Sequence, residues 1–237
     1  MGYYKNTLRY RKTSHSITIT KYKSCDGCTE VEIPAVIEGL PVTKIDGWVF
    51  SECSLLTKVI IPPSVTEIGP SAFYGCHGLA DEQGFVIVGG VLYDYIGDGG
   101  IVAVPEGVYE IGVSAFYQCY SLSRVILPES LRVIRGQAFF ECENLKSINI
   151  PDGVERIVFW AFKNCYGLAD ADGLVIVGGI LFNYIGTKNS IILPDHVTEI
   201  EEGAFWDPIK EILNMPKAQC SDGRILTEED LHNGCKL

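Results

Sequence analysis

Residues 59–76 read Val59-Ile60-Ile61-Pro62-Pro63-Ser64-Val65-Thr66-Glu67-Ile68-Gly69-Pro70-Ser71-Ala72-Phe73-Tyr74-Gly75-Cys76, and the chain rewrites this stretch several times. The Ala-Phe step recurs at Ala115-Phe116, Ala138-Phe139, Ala161-Phe162 and Ala204-Phe205, with Val49-Phe50 as an earlier, weaker copy. Successive Phe positions are separated by 23, 43, 23, 23 and 43 residues. An apolar-Pro step keeps similar time at Pro62, Pro105, Pro128, Pro151, Pro194 and Pro216. A cysteine follows Phe by three residues at Cys53, Cys76, Cys119, Cys142 and Cys165, and Pro208 takes that place in the last copy. Several residue types repeating together at fixed offsets identify a repeat architecture.

The two 43-residue gaps share one cause. Residues 76–96, CHGLADEQGFVIVGGVLYDYI, return as residues 165–185, CYGLADADGLVIVGGILFNYI, 89 residues later. Each gap is therefore a 23-residue coil plus a 20-residue insert. Phe85–Val88 and Val91–Tyr93 flank Gly89-Gly90, a two-residue hairpin turn whose glycines supply positive φ. Leu174–Val177 and Ile180–Phe182 repeat the hairpin around Gly178-Gly179.

Each full repeat has three parts. Val59-Ile60-Ile61, Val125-Ile126-Leu127, Ile148-Asn149-Ile150 and Ile191-Ile192-Leu193 are short strands ended by Pro. Alternation sends Val59 and Ile61 to the core and Ile60 outward. A brief extended piece such as Val65–Ile68 follows, and Ser71-Ala72-Phe73 has room for about one helical turn, with small or acidic residues ahead suited to a helix start. One coil cannot bury both apolar edges, but coils stacked at a strand spacing of about 4.8 Å can, and about eight of them give a core roughly 40 Å long. The Phe side chains are expected to stack as a ladder within the 23-spaced runs.

The pattern resembles the BspA-like leucine-rich repeats, whose unit runs LxxLxLPxxLxxIgxxAFxxCxxL. Leu122-x-x-Val125-x-Leu127-Pro128-x-x-Leu131-x-x-Ile134-x-x-x-Ala138-Phe139-x-x-Cys142 matches nearly throughout, and Leu145-x-x-Ile148-x-Ile150-Pro151-x-x-Val154-x-x-Ile157 matches equally well. Ile33-Pro34 through Ile45 looks like an opening repeat, and the resemblance covers about residues 17–216. It implies a leucine-rich repeat solenoid with a parallel sheet, right-handed, horseshoe-like but built mostly of short β-strands with one-turn helices. It implies no catalytic residues, because the motif is structural. The expected organisation is a basic N-terminal segment over 1–16 and a solenoid over 17–216 with inserts at about 77–100 and 166–189. A hairpin of Ser16–Thr20 with Val31–Ile33 caps the first coil, and a C-terminal cap over 217–237 includes a short helix opening at Thr227–Asp230.

The formal net charge is −11, unevenly spread. Residues 1–25 carry six Lys or Arg and no acid, and no Lys or Arg occurs between residues 59 and 123. A polyanion needs a basic footprint, so nucleic acid is disfavoured as a partner. No run reaches the length of a membrane span, and Met1–Lys12 lacks the apolar run of a secretory signal. The odd count of nine cysteines, five of them in the repeat, favours a reducing, cytoplasmic compartment and buried free thiols. The family resemblance offers the cell surface or secretion as the alternative.

Cys25 and Cys28 have the only metal-like spacing; the readings open there are a structural turn, a redox pair or a metal held with other ligands. Cys220 and Cys235, at the other end of a stacked chain, are too far away to complete that site. His15, His77, His196 and His232 form no paired spacing, no GxSxG or phosphate-loop pattern occurs, and no cofactor is implied. What remains is surface. Outward strand positions Lys58, Ile60, Arg124, Ile126, Lys146, Asn149, Ile192 and Asn214 are expected to form a continuous apolar column edged by cations. The function expected is a non-catalytic, monomeric scaffold that binds a protein partner through this face. A spacer without a specific ligand is the alternative, and a metal or redox protein around Cys25 and Cys28 ranks last.

Overall fold

The computed structural model describes residues 2–5, 7–23, 28–187, 190–205, 211–212 and 235–236. The chain divides into two compact units, Met1–Gly97 with Val108–Ala115, and Asp98–Gly107 with Phe116–Leu237. Each is a β-solenoid of short strands with almost no helix.

The first unit opens with Gly2–Tyr4, Leu8–Lys12 and Ile17–Tyr22 as an antiparallel ribbon, whose last strand pairs in parallel with Leu40–Ile45. Leu40–Ile45 then pairs in parallel with Glu67–Ile68. Glu30–Glu32 pairs in parallel with Lys58–Ile60. The capping hairpin therefore joins Leu8–Lys12 to Ile17–Tyr22, and the expected pairing of Ser16–Thr20 with Val31–Ile33 is corrected. The physical reason is the alternation Leu8-Arg9-Tyr10-Arg11, which buries Leu8 and Tyr10 and turns the arginines away. Val31-Glu32-Ile33-Pro34 is itself an apolar-Pro step, and it stacks on the next copy, Ile33 N–H donating to Ile60 O at 2.9 Å.

In the second unit Gly100–Ala103, Leu122–Ile126 and Ser147–Ile148 form a parallel sheet. Val133–Ile134 pairs in parallel with Arg156–Ile157 on the other side of the coil, and Ser190–Ile191 with Glu211–Ile212. Ile180–Tyr184 pairs in parallel with Glu199–Ile200, which pairs antiparallel with Cys235–Lys236. The C-terminal helix expected at Thr227–Asp230 lies outside the described residues.

The Phe ladder forms within the 23-spaced runs. Phe50 and Phe73 stack at 5.0 Å and 4° in the first unit. In the second, Phe116, Phe139 and Phe162 stack at 4.8 and 4.9 Å with 8° and 7° between planes. At the inserts the column turns edge-on, Phe73 to Tyr93 at 71° and Phe162 to Phe182 at 69°. All five of the ladder rings are fully buried.

The expected helical turn at Ala-Phe does not form. Trp48, Ser71, Ser114, Gln137 and Trp160, just ahead of the step, have φ of 62, 53, 60, 60 and 60°. Glu52, Gln118, Glu141 and Asn164, two residues past Phe, have φ of 60, 56, 60 and 63°. Two left-handed residues per coil break any i→i−4 pattern. The backbone donors turn sideways instead. Phe116 N–H donates to Ala138 O at 2.7 Å and Phe139 N–H to Ala161 O at 2.8 Å, while Gln118 and Glu141 donate to Phe140 and Lys163 carbonyls at 2.9 Å. This corner of the regular coils is thus a ladder between coils, alternating with turn bonds inside each coil such as Ala138 N–H to Arg135 O and Cys142 N–H to Phe139 O. The described helical pieces are single 3-10 turns at His77–Leu79 and Tyr166–Leu168, where the inserts begin. The hairpins follow as expected, with φ of 59 and 79° at Gly89 and Gly90 and of 57 and 80° at Gly178 and Gly179.

Candidate functional site

The outward strand positions were built from alternation, and alternation holds. In the three-stranded sheet of the second unit, Val102, Val125 and Ile148 share one register and face the core side. The flanking registers face solvent: Ile101 beside Arg124 beside Ser147, and Ala103 beside Ile126. Ile101 is 70% exposed and Ile126 40%. Arg124 and Lys146 are exposed. Further on, Ile191 and Leu193 are buried while Ile192 between them is 62% exposed. In the first unit Ile60 is 45% exposed, and Lys58 Nζ stands 3.4 Å from the Glu30 carboxylate in an exposed ion pair. Asn149 is exposed, but its amide is engaged with the neighbouring strand: Leu127 N–H donates to Oδ1 at 2.7 Å and Nδ2 donates to Leu127 O at 3.0 Å. Asn149 therefore extends the ladder past the end of Ser147–Ile148. Asn214 lies outside the described residues.

Two corrections follow. Among the described residues the face is not continuous: within the second unit Gly100–Ala103, Leu122–Ile126 and Ser147–Ile148 form one sheet, and Ser190–Ile191 with Glu211–Ile212 another. The insert stands between them in sequence and contributes its strands to the hairpin sheet instead. The other correction is Ile101, the most exposed large apolar side chain of the sheet, which was not among the expected positions. Its signal was the apolar-Pro step Ile101-Val102-Ala103-Val104-Pro105.

The cysteines divide into two kinds. Cys53, Cys76, Cys119, Cys142 and Cys165 carry free thiols, and Cys76, Cys142 and Cys165 are buried. Each of these three donates its S–H to the carbonyl of the Phe in the preceding coil, at 3.0 Å to Phe50, Phe116 and Phe139. Burial pushes the Cys76 thiol up to about 12, and the neighbouring Cys165 thiol together with burial raises Cys142 strongly. Cys76 and Cys142 therefore stay protonated and unreactive at neutral pH. Cys28 is disulfide-bonded, and Cys25 and Cys220 lie outside the described residues. Among the described residues no group of three or more His, Cys, Asp or Glu is placed to hold a metal ion.

Three buried ionisable side chains, Asp94, Lys163 and Glu201, were not legible in the sequence. Asp94, in the first insert, accepts from Gly75 N–H at 3.1 Å and Tyr95 N–H at 2.9 Å and lies 3.3 Å from His77 Nε2. Burial pushes its carboxyl above the ordinary aspartate range, against the pull of the Gly75 amide and His77. The residues 89 positions on are Asn183 and Tyr166, and Asn183 Oδ1 accepts from Asn164 N–H at 2.7 Å. The same fastening is made there with neither the carboxyl nor the imidazole, so the position serves to pin the turn after Phe. Lys163 stands where other copies carry Tyr74, Tyr117 and Phe140. Its Nζ donates to the carbonyls of Phe182, Glu202 and Gly203, and burial holds its ammonium below the ordinary lysine range.

No helix among the described residues is long and apolar enough to cross a membrane. Comparison with curated proteins finds no match. Among solved structures, the chain is similar to a leucine-rich repeat protein of T. pallidum, at 33% identity over 69% of this chain and 67% of that one, with a TM-score of 0.37. It is similar to a leucine-rich cell surface protein of Faecalibacterium prausnitzii, at 24% identity over 90% of this chain and 69% of that one, with a TM-score of 0.43. A leucine-rich repeat protein of Bacteroides ovatus matches at 19% identity over 84% of this chain and 61% of that one, with a TM-score of 0.33. The family pattern described as BspA type leucine rich repeat region matches residues 5–81 and 100–212 in six copies. With the period, the Phe ladder and the inter-coil turns all in that pattern, the chain belongs to the BspA-type leucine-rich repeat family.

Proposed function

We propose that the protein is a non-catalytic interaction scaffold that binds a protein partner through the outward face of its short parallel strands. The observation that carries this reading is the pairing in register of Ile101, 70% exposed, with Arg124, beside exposed Ile126. Flat, apolar side chains on a rigid sheet, edged by cations, supply contact area without ordering cost, and Arg is well suited to interface centres. Ile60 beside Lys58, and Ile192, repeat the chemistry. Against catalysis stand the protonated Cys76 and Cys142 thiols and the replacement of His77 and Asp94 by Tyr166 and Asn183 in the second copy. A net charge of −11 argues against a nucleic-acid ligand. The disulfide at Cys28 favours an oxidising compartment, the cell surface or outside, over the cytoplasm first expected.

Crosslinking capture from the native host's lysate and surface fractions, with wild type and a Lys58→Glu, Arg124→Glu, Lys146→Glu variant side by side, tests the reading. A partner held by wild type and lost by the variant is the expected result. A partner retained by both would move the site elsewhere, and no partner for either folded protein would favour a spacer. The fraction that yields the partner also reports the compartment.

A further inference from the structure

The second insert leaves a hollow at the coil corners of the second unit, with a volume of about 440 Å³. The coils of Phe139 and Phe162 turn this corner through left-handed Glu141 and Asn164. Ile180–Tyr184, the insert strand that follows Phe162 in the ring column, has no left-handed residue, and its Phe182 and Asn183 are fully buried. One corner is therefore missing between the coil of Phe162 and the coil of Phe205, and the corners on either side wall the gap. Phe140, Trp160 and Phe205 bring three aromatic rings to it, and Glu141 and Glu202 bring two acids.

The repeat does not require these side chains. The residues 89 positions earlier, around the first insert, are Ser51 for Phe140, Ser71 for Trp160 and Val113 for Glu202. Phe140 and Trp160 are half-buried, and Phe159, edge-on to Trp160 at 5.8 Å, is exposed. Large rings that the repeat can replace by serine, left partly open to solvent around a hollow, mark a binding site. Charge and hydrogen bonding narrow the ligand. Lys163, the one cation in the lining, donates inward to the carbonyls of Phe182 at 3.5 Å, of Glu202 at 3.4 Å and of Gly203, and the buried Glu201 carboxylate attracts it. Glu202 is exposed, and Glu141 Oε2 accepts from Gln118 Nε2 at 2.7 Å and from the Tyr120 hydroxyl at 3.3 Å. With Glu201 set against Lys163, the two lining acids leave the hollow negative, which disfavours an anion. The three carbonyls are already taken by Lys163, so a primary ammonium or a guanidinium would bring donors that lack acceptors. A cation with no N–H, its charge spread over methyl groups, meets both conditions, and aromatic rings attract such a cation.

We propose that this hollow binds a quaternary ammonium group, with its methyls against the Phe140 and Trp160 rings and its charge balanced by Glu141 and Glu202. The site shares no residue with the strand face and goes beyond that reading. The first insert, with Ser51, Ser71 and Val113 at the matching positions, has no counterpart of it.

The test titrates the intact chain with choline and follows the Trp160 indole resonance by NMR, its assignment made with Trp160→Ser. A saturable shift is expected. Dimethylbutanol, the uncharged carbon isostere of choline, should bind roughly fivefold more weakly or worse, because it lacks the charge the rings attract. Nε-trimethyllysine amide should bind as well, and the tighter of the two cations indicates a headgroup or a methylated side chain as the source. In calorimetric titration Trp160→Ser should lose choline binding. Glu202→Lys, at an exposed position, should lose it too while melting as wild type does, which keeps the test sound if Trp160→Ser melts lower. Arg124→Glu with Lys146→Glu should leave choline binding unchanged, so failure of the strand-face reading and failure of this one are told apart. No saturable shift at Trp160, equal affinity for the uncharged isostere, or binding indifferent to Glu202→Lys would overturn the proposal.

Discussion

The run of coils carrying Phe116, Phe139 and Phe162 and the coils interrupted by inserts are written in one repeat language, yet they are held differently. In the regular run the rings lie face to face at 4.8 and 4.9 Å, and the corner amides of Phe116, Gln118, Phe139 and Glu141 all reach the next coil. At the inserts the ring column turns edge-on, and a buried side chain, Asp94 or Asn183, takes over the fastening of the turn. The difference teaches that identity of the next coil, more than the coil's own sequence, decides how a repeat is satisfied. Nearest-neighbour terms of this kind dominate repeat proteins.

The largest expected effect breaks the regular run. Phe139→Ala should cost about 3–5 kcal/mol in urea unfolding, as buried Phe truncations do. Phe182→Ala, equally buried but with one described ring neighbour edge-on at 5.5 Å, should cost roughly 1 kcal/mol less, the difference being the second stacked pair. Equal costs would remove the distinction between the two kinds of coil.

The next comparison sets the inserts against each other. Asp94→Ala takes the acceptor from the Gly75 amide and removes contacts to Tyr95 N–H and His77 Nε2, whereas Asn183→Ala takes the acceptor from the Asn164 amide, at about 1–3 kcal/mol for a buried donor left unsatisfied. Asp94→Ala should therefore be the more damaging of the two. It should also be pH-dependent. Because burial raises the Asp94 carboxyl in the folded state, its contribution to stability is fully present below the ordinary aspartate value and is lost as pH rises through the raised one. The cost of Asp94→Ala, measured by thermal unfolding, should be greater at pH 4 than at pH 7, while that of Asn183→Ala stays flat.

The smallest effect sharpens the same pair. Gly89→Ala and Gly178→Ala each place a side chain at φ near +60°, at about 1 kcal/mol. An added Cβ at Gly178 would meet Ile157 Cδ1 at 2.6 Å, against 3.5 Å from Gly89 to Ile68 Cδ1, so Gly178→Ala should be worse by a few tenths of a kcal/mol. Indistinguishable melting curves would show that Ile157 yields without cost.

The period, the ladder, the hairpins and the outward strand positions were all legible in the sequence, because each rests on residue types with one physical meaning: Phe at fixed spacing, Gly-Gly between apolar strands, alternation before Pro. The left-handed corners were not. Trp48, Ser71, Gln137 and Glu141 carry no signature of positive φ, and only the inter-coil hydrogen bonds make that backbone pay. The break in the strand face was hidden because the insert reads as added length, whereas it diverts the chain into a separate hairpin. Ile101 and the Leu8–Lys12 strand were legible and passed over, the first behind the insert and the second behind its basic residues. Asp94 and Lys163 could not be found from sequence, since a charge is buried only through partners supplied by other coils.

Residue-resolved hydrogen exchange under native conditions tests the central claim most directly. If regular coils are fastened to one another at their corners while inserted coils leave strand edges open, the amides of Phe116, Gln118, Phe139 and Glu141 will exchange only through unfolding of the whole run. Those along Glu67–Ile68 and Arg156–Ile157, each with one described strand neighbour, that point away from it will exchange orders of magnitude faster. Uniform protection across both sets, or faster exchange at the corners, would contradict it.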